Sequence, residues 1–432
     1  LADRPAGAAV DGAAHDAFLG IDFGTSGCRA AVIDAGGRLL GEAQSPYPDA
    51  ETARDPVGWW RALAAALAGL PLRNRIRRLA VDGTSGTLVP CNTHGHPLAP
   101  VLLYNDARAT AQAVRIAAVA PPQSAAHGAS GGLAKLLWYQ DQGLEAAHAL
   151  PQADWIVGRL TGHFGHSDYH NCLKLGYDAE RLEWPAWLDA LGVRRDWLPQ
   201  VQAPGTPLGR ILPACARELG LPPETEIVAG TTDGVAAFLA AGVREPGQGV
   251  TSLGSTLVLK LLSDKPVTSA AHGVYSHRLG RRWLAGGASN SGGAVLAKYF
   301  SPERLRTLTP RLHPDRPTGL DYYPLAQPGE RFPLSDPGLM PRLDPRPADD
   351  VEFLQALFEG MARIEARGYA LLAELGAPRV TGVFTAGGGA QNPAWERIRA
   401  RALGVPLRAA ISEQAAYGAA RLAAGLELLG AQ

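Results

Sequence analysis

A chain of 432 residues exceeds what one hydrophobic core usually holds, so two domains are expected. Lys plus Arg balance Asp plus Glu at 41 each, which gives no support for a nucleic-acid or membrane-surface partner. The four cysteines (Cys28, Cys91, Cys172, Cys215) form no Cys-x-x-Cys pair, which fits neither a disulfide framework nor a zinc site; reduced thiols in a cytoplasmic protein are the simplest reading.

Residues 1–17 are rich in Ala and Gly and lack the basic and apolar regions of a signal peptide, so they read as a loose N-terminal extension. No apolar run approaches the ~20 residues of a membrane span. From there short apolar strands alternate with helical stretches, which points to an α/β fold. Strands are expected at 18–22, 29–33, 78–81, 227–229, 251–253, 256–261, 283–285 and 382–385. Asp55 and Pro56 read as the N-cap and first residue of a helix through Trp60 to Leu67. Asn392 and Pro393 repeat that signal before a helix through Trp395 to Leu403. A third helix spans about 349–375, with Phe353, Leu357, Met361 and Ile364 on its apolar face. The Pro-rich stretch 301–347 is too long for a simple connection and reads as an ordered surface excursion.

Two loops of one kind carry most of the chemistry. LGIDFGTSGCRAAVID (19–34) and VTSLGSTLVLKLL (250–262) are each an apolar strand, a tight Gly/Thr/Ser turn and a second apolar strand. Such turns present N–H groups and hydroxyls in a concave nest that suits an anionic oxygen. Gly24 and Gly27 frame the first turn and Gly254 sits in the second; a Cβ there would block positive φ or the approach of a phosphate. Two such turns, one early in each half, suggest a duplicated fold gripping a polyphosphate from both sides.

Several candidate residues follow, each with a plainer reading beside it. Asp233 follows a short strand and a Gly-Thr-Thr turn and precedes an apolar helix, a junction where open α/β sheets place ligands; on its residues alone a helix N-cap is the favoured reading. Asp22 ends the first strand, where a carboxylate faces Mg²⁺ through water or a sugar hydroxyl, or simply caps the turn. Thr25 and Ser26 offer hydroxyls or amides; Ser85, beside Gly86, offers a short hydroxyl with room for a polyol; all three also suit ordinary turns. Asp82, Asn105, Asp106 and Lys174 are weaker candidates for pocket walls. In the second half Ser255 and Thr256 close the second turn, Gly388 and Gly389 leave the backbone bare, Asn392 suits a helix cap and Trp395 the core, and Gly287, Ser291, Gly292 and Gly293 form a Gly-rich turn.

In order along the chain, GIDFGTSG (20–27), YNDAR (104–108), LTGHFGHSDYHNCLKLGYD (160–178), GTTDGVAAFLAAG (230–242), SLGST (252–256), PGERFPLSDP (328–337), GGGAQNPAW (387–395) and EQAAYGAARLA (413–423) resemble motifs of the FGGY carbohydrate kinases. The resemblance covers about residue 18 to the C-terminus. It implies two actin-like, ribonuclease H-like ATPase domains, 18–242 and 243–432, with the active site in the cleft between them. It implies ATP and Mg²⁺, with Asp233 as catalytic base and Asp22 touching both sugar and metal shell. It implies that Thr25, Ser85 and Gly86, with Asp22 and Asp233, contact the sugar. Gly24, Thr25, Ser26, Gly254, Ser255, Thr256, Gly287, Gly388, Gly389, Asn392 and Trp395 would line the nucleotide.

VDGTSGT (81–87) is similar to the D-ribulokinase-type branch of plants and cyanobacteria. Xylulokinases carry Gln-Met-His-Gly there and glycerol kinases Gln-Arg-Glu-Thr; Ser85 and Gly86 replace those specificity side chains. The expected partners are therefore a sugar, with D-ribulose ahead of D-xylulose and other polyols, and ATP. A homodimer is left open. An actin-like ATPase working on a protein partner and an inactive sugar sensor are the readings of other classes. The chain has no G-x-x-x-x-G-K-[ST], the first loop is not G-x-G-x-x-G, and no apolar strand precedes the G-x-S-x-G letters at 128–132. His163, His166 and His170 cluster in sequence without a Cys-x-x-Cys pair beside them and read as loop histidines.

Overall fold

The structure is a computed structural model that describes residues 16–426. The extension expected over 1–17 lies almost wholly outside these residues. The first sheet opens with a hairpin, Ala17–Phe23 against Gly27–Asp34, and Leu39–Pro46 continues it antiparallel. On its other side Ala17–Phe23 runs parallel to Ile76–Gly83. Glu226–Val228 and then Thr231–Thr232 pair parallel with Ile76–Gly83, and Pro207–Arg210 forms the far edge. Ala17–Phe23 is buried along its whole length, as a strand covered on both faces must be.

The second sheet repeats the hairpin. Gln248–Leu253 pairs antiparallel with Leu257–Ser263 and parallel with Gly382–Ala386. Arg282–Ser289 and Tyr275–Leu279 extend one side and Leu407–Ala409 the other.

Helix Pro56–Ala68 covers the outer face of the first sheet, with Trp59, Leu63 and Leu67 against Leu19, Ile21 and Val32. Its start is fixed as the sequence implies: the Asp55 carboxylate accepts from the amides of Val57 and Gly58. Helix Asp350–Glu374, capped by Asp349, covers the second sheet in the same way. Helices Asp233–Ala241 and Ala415–Ala423 lie between the sheets, against Phe18, Ile33 and Val228 on one side and Val250, Leu262 and Phe384 on the other. They pack backbone to backbone. A Cβ on Gly418 would sit 1.8 Å from the Ala236 carbonyl oxygen, and one on Gly20 2.0 Å from that of Ala416.

A third cluster joins helices Thr110–Val119 and Gly132–Asp141 to the segment around 169–198, and Trp283 of the second sheet is seated in it. His170 bridges Thr231 Oγ1 in the first half and the Arg278 carbonyl in the second. The Arg278 guanidinium returns to the carbonyls of Ala179 and Glu180. The Pro-rich stretch opens with an α-helix, Pro302–Leu308, and a 3₁₀ turn, Thr309–Arg311, and is otherwise irregular among the described residues. Its buried Glu330 accepts from Ser289 Oγ, the Asn290 amide and Tyr323 Oη, and so pins the end of a second-sheet strand. Among the described residues no helix is long and apolar enough to cross a membrane.

Candidate active site

Three parallel strands end side by side and bring carboxylates together. Asp22 pairs in register with Asp82, and Asp82 with Thr231, so Asp233 follows immediately at the same end of the sheet. This is the carboxyl edge of an open α/β sheet, where ligands bind. The N-cap of the following helix is Thr232, so Asp233 is its first helical residue rather than its cap. Its carboxylate accepts only the adjacent Gly234 amide, at 2.6 Å, among the hydrogen bonds of the described residues.

The electrostatics of this edge are unusual. Burial raises the Asp233 carboxyl above its ordinary range, and the nearby Asp22 charge raises it further; the Gly234 amide, Lys260 and Lys174 pull it back. Asp82 is fully buried, and among the described residues no N–H or O–H donor reaches either oxygen. Burial and the facing Asp22 charge push its carboxyl well above the ordinary range. Asp22 is itself raised by burial, offset by Asp82 and by Arg29, whose guanidinium lies 3.1 Å from its carboxylate. Arg29 also reaches Ser26 Oγ, tying the first turn to Asp22.

From the other side Lys260, on Leu257–Ser263, donates to the Gly234 carbonyl. Burial holds its ammonium down at about 8. Sequence reasoning missed Lys260, Arg29 and a third cation, Lys135. The available signal was a lone cation inside an otherwise apolar run: Val258-Leu259-Lys260-Leu261, and Leu133-Ala134-Lys135-Leu136.

The 84–87 turn follows Ile76–Gly83. Thr84 and Thr87 are spent on structure: Thr84 binds Gln152 Oε1 and Thr87 Oγ1, and Thr87 Oγ1 accepts from the Tyr104 amide. Ser85 is partly exposed, and among the described residues its hydroxyl makes no hydrogen bond; Lys174 approaches its carbonyl at 3.5 Å. Gly86 has φ +95°, which excludes most side chains, and a Cβ would lie 3.2 Å from the Ser130 carbonyl oxygen. Asp106 is occupied by a forked bond from Arg108, which holds its carboxyl low. A recess of about 380 Å³ beside the first turn gathers Gly24, Thr25, Ser26, Thr84, Tyr104, Asn105 and Gln152; Ser85, Gly86, Asp22 and Asp233 do not line it.

The second turn, 254–256, rests on the 291–294 turn. The Gly254 and Ser255 carbonyls accept from the Gly293 and Ala294 amides, and Gly254 and Ser255 stay exposed. Of the nucleotide-side expectations Trp395 needs correction, and Gly287 and Asn392 are partly committed to packing and capping. Trp395 is 3% exposed and stacks on Phe358 at 4.8 Å between centroids, so its ring belongs to the core and not beneath a base. Gly287 lies two pairs back from the turn, against Leu259, and the ring of Phe332 occupies the space a Cβ would need. Asn392 Oδ1 accepts from the Trp395 amide as a helix cap, leaving only its NH₂ for a ligand. Gly388 has nothing within 4 Å of its Cβ position, so backbone there is open to an adjacent flat group, whereas Gly389 is glycine because Trp395 and Leu253 close over it.

The residues present fit a magnesium nucleotide. Asp22 supplies hard oxygen at the carboxyl edge of the first sheet, suited to an ion that keeps most of its waters. Two exposed hydroxyl-bearing turns, 24–26 and 254–256, end the paired hairpins, and the 387–389 backbone lies beyond the second.

Residues 17–240 match the FGGY family of carbohydrate kinases, N-terminal domain, and residues 249–426 match its C-terminal domain. A xylulose kinase of Streptomyces rubiginosus is 29% identical over 439 residues, covering 94% of this chain and 87% of that protein. An autoinducer-2 kinase of Yersinia enterocolitica is 26% identical, covering 95% and 86%. Among solved structures, one described as a xyloylose kinase from Brucella ovis superposes with a TM-score of 0.84 at 24% identity, covering 94% and 90%, and supports the fold.

Proposed function

The chain belongs to the FGGY family of carbohydrate kinases, and from that premise we propose that it transfers the γ-phosphoryl group of ATP to the terminal hydroxyl of a ketopentose, D-ribulose first. The observation that carries this reading is Asp233: a partly exposed carboxylate whose one partner among the described residues is a backbone amide, at the carboxyl edge of the first sheet near Asp22 and Lys260. Phosphoryl transfer needs alignment, charge stabilisation and a base at the acceptor oxygen. In this reading Asp233 takes the proton of the attacking hydroxyl, which bonds to the γ-phosphorus as the β–γ bridging oxygen leaves with ADP. The residues of the 24–26 and 254–256 turns hold the phosphates. Asp22 and water hold Mg²⁺, which when bound neutralises phosphate charge.

Ser85 and Gly86 support D-ribulose. The turn offers one uncommitted hydroxyl and no bulk. Ser85→Ala is expected to raise the sugar KM about tenfold, with kcat changed far less, since one hydrogen bond to the acceptor is lost. An unchanged KM would put the sugar elsewhere, with the recess beside Thr25 and Asn105 as the next place to look. D-Xylulose is the second reading, favoured by the xylulose kinase matched along almost the whole chain. Incubation with Mg·ATP and each ketose, followed by ³¹P NMR of the product, tests the assignment. A phosphomonoester on the terminal carbon of D-ribulose supports it; one formed from D-xylulose alone transfers the assignment to that sugar.

A further inference from the structure

We propose that Lys135 is a positioning residue for the acceptor: from beneath the pocket it fastens the 84–87 turn to the segment carrying Tyr104 and Asn105, and so sets the affinity for the sugar. This rests on the reading of that turn as the sugar-binding one. Lys135 lies on helix Gly132–Asp141 with 0% of its surface exposed. Its Nζ donates to the Gly86 carbonyl at 2.7 Å and the Leu103 carbonyl at 2.6 Å. Gly86 is the sharpest point of the turn, and Leu103 directly precedes Tyr104 and Asn105.

One helical turn on, Tyr139 holds the same segment: it accepts from the Leu102 amide and donates to the Pro100 carbonyl. Lys135 is the only one of these ties that carries charge, and a charged donor bonds about twice as strongly as a neutral one. The groups facing it are Asp106 of the same segment, which favours the ammonium, and Lys174 of the 160–178 insertion, which opposes it. Tyr139 and Arg108 stand nearby; Tyr139 is itself raised by burial and stays neutral. Burial dominates and brings the ammonium down to about 7. The charge on the clamp is therefore present below about pH 7 and lost above it. The neutral amine keeps N–H groups but not their charge assistance, so the two segments loosen as pH rises.

The test is the KM and kcat for D-ribulose and D-xylulose from about pH 6 to about pH 8.5, in wild type, Lys135→Met and Lys135→Gln. The expected wild-type KM for the preferred sugar rises roughly tenfold across this range. In Lys135→Met it is high at every pH, with kcat affected far less. Lys135→Gln, which can still donate, falls between and also loses the pH step. A wild-type KM that is flat with pH, or a step that survives in either variant, overturns the inference. If Lys135→Met does not fold, wild type against Lys135→Gln decides by the same criterion. No turnover of either sugar by the wild type is a different failure: it removes the functional reading, and this inference with it.

Discussion

Asp233→Asn lowers sugar-dependent ADP release by a factor of roughly 10²–10⁴, the usual contribution of a positioned general base, while ATP binding stays close to wild type. The side chain makes one hydrogen bond, to its neighbour's amide, so its loss disturbs little else. A pH profile separates this role from a structural one. The base must be ionised, and burial raises the Asp233 carboxyl. Activity therefore falls with falling pH through a value above the ordinary carboxylate range. Lys260 opposes that rise, so Lys260→Met moves the acid limb to higher pH. Stability has the opposite sign. A carboxyl raised on folding contributes most at low pH, and that contribution is lost as pH rises from the ordinary value through the raised one. At neutral pH Asp233→Asn is accordingly no less stable than wild type, the pattern of a site that trades stability for function. Near-native turnover in Asp233→Asn would remove the residue from the role.

Arg399→Met costs about 3–5 kcal/mol of stability, because it leaves a buried carboxylate uncompensated. Arg399 and Glu365 are each about 1% exposed and meet through two bonds of 2.7 Å. Arg399 also donates to Thr385 Oγ1, and Glu365 accepts from Thr251 Oγ1, which in turn meets Tyr369 Oη. Thr251 and Thr385 are paired in register on neighbouring strands, so one network joins two strands of the second sheet to helices Asp350–Glu374 and Pro393–Leu403. The 254–256 turn hangs from one of those strands. Urea denaturation of Arg399→Met should show a much lower midpoint. The double variant Arg399→Met/Glu365→Leu recovers much of the loss, since replacing both partners with apolar groups removes the stranded charge. A double variant as unstable as the single one would mean that packing, not charge, sets the cost.

The sequence made local features legible and left convergence hidden. The two hairpins were readable because a buried strand, a Gly/Thr/Ser turn and a second buried strand are all local signals. So were the helix starts at Asp55-Pro56, Asp349 and Asn392-Pro393, each borne by a side chain that caps within three residues. The pairing of Asp82 with Asp22 depends on two strands far apart in the chain running parallel in one register. Nothing in 76–83 alone says that its carboxylate faces another one and is raised by it. Trp395 was ambiguous for a related reason: an aromatic one turn into a helix faces wherever the neighbouring helix offers a surface, and here Phe358 offers it. The Pro-rich excursion was seen as ordered, but not that Glu330 within it supports the strand end at Ser289 and Asn290. Lys135 and Lys260 were passed over because a lone cation in an apolar run looks like an exposed residue until both of its neighbours prove buried.

The most direct test of the central claim is ADP release from Mg·ATP by the purified protein, coupled to NADH loss, across D-ribulose, L-ribulose, D-xylulose, ribitol and glycerol. Strong stimulation by D-ribulose and little by glycerol is the expected result. Stimulation by D-xylulose in its place would keep the phosphoryl transfer and overturn the assignment drawn from Ser85 and Gly86. ADP release that no sugar stimulates would contradict the account itself.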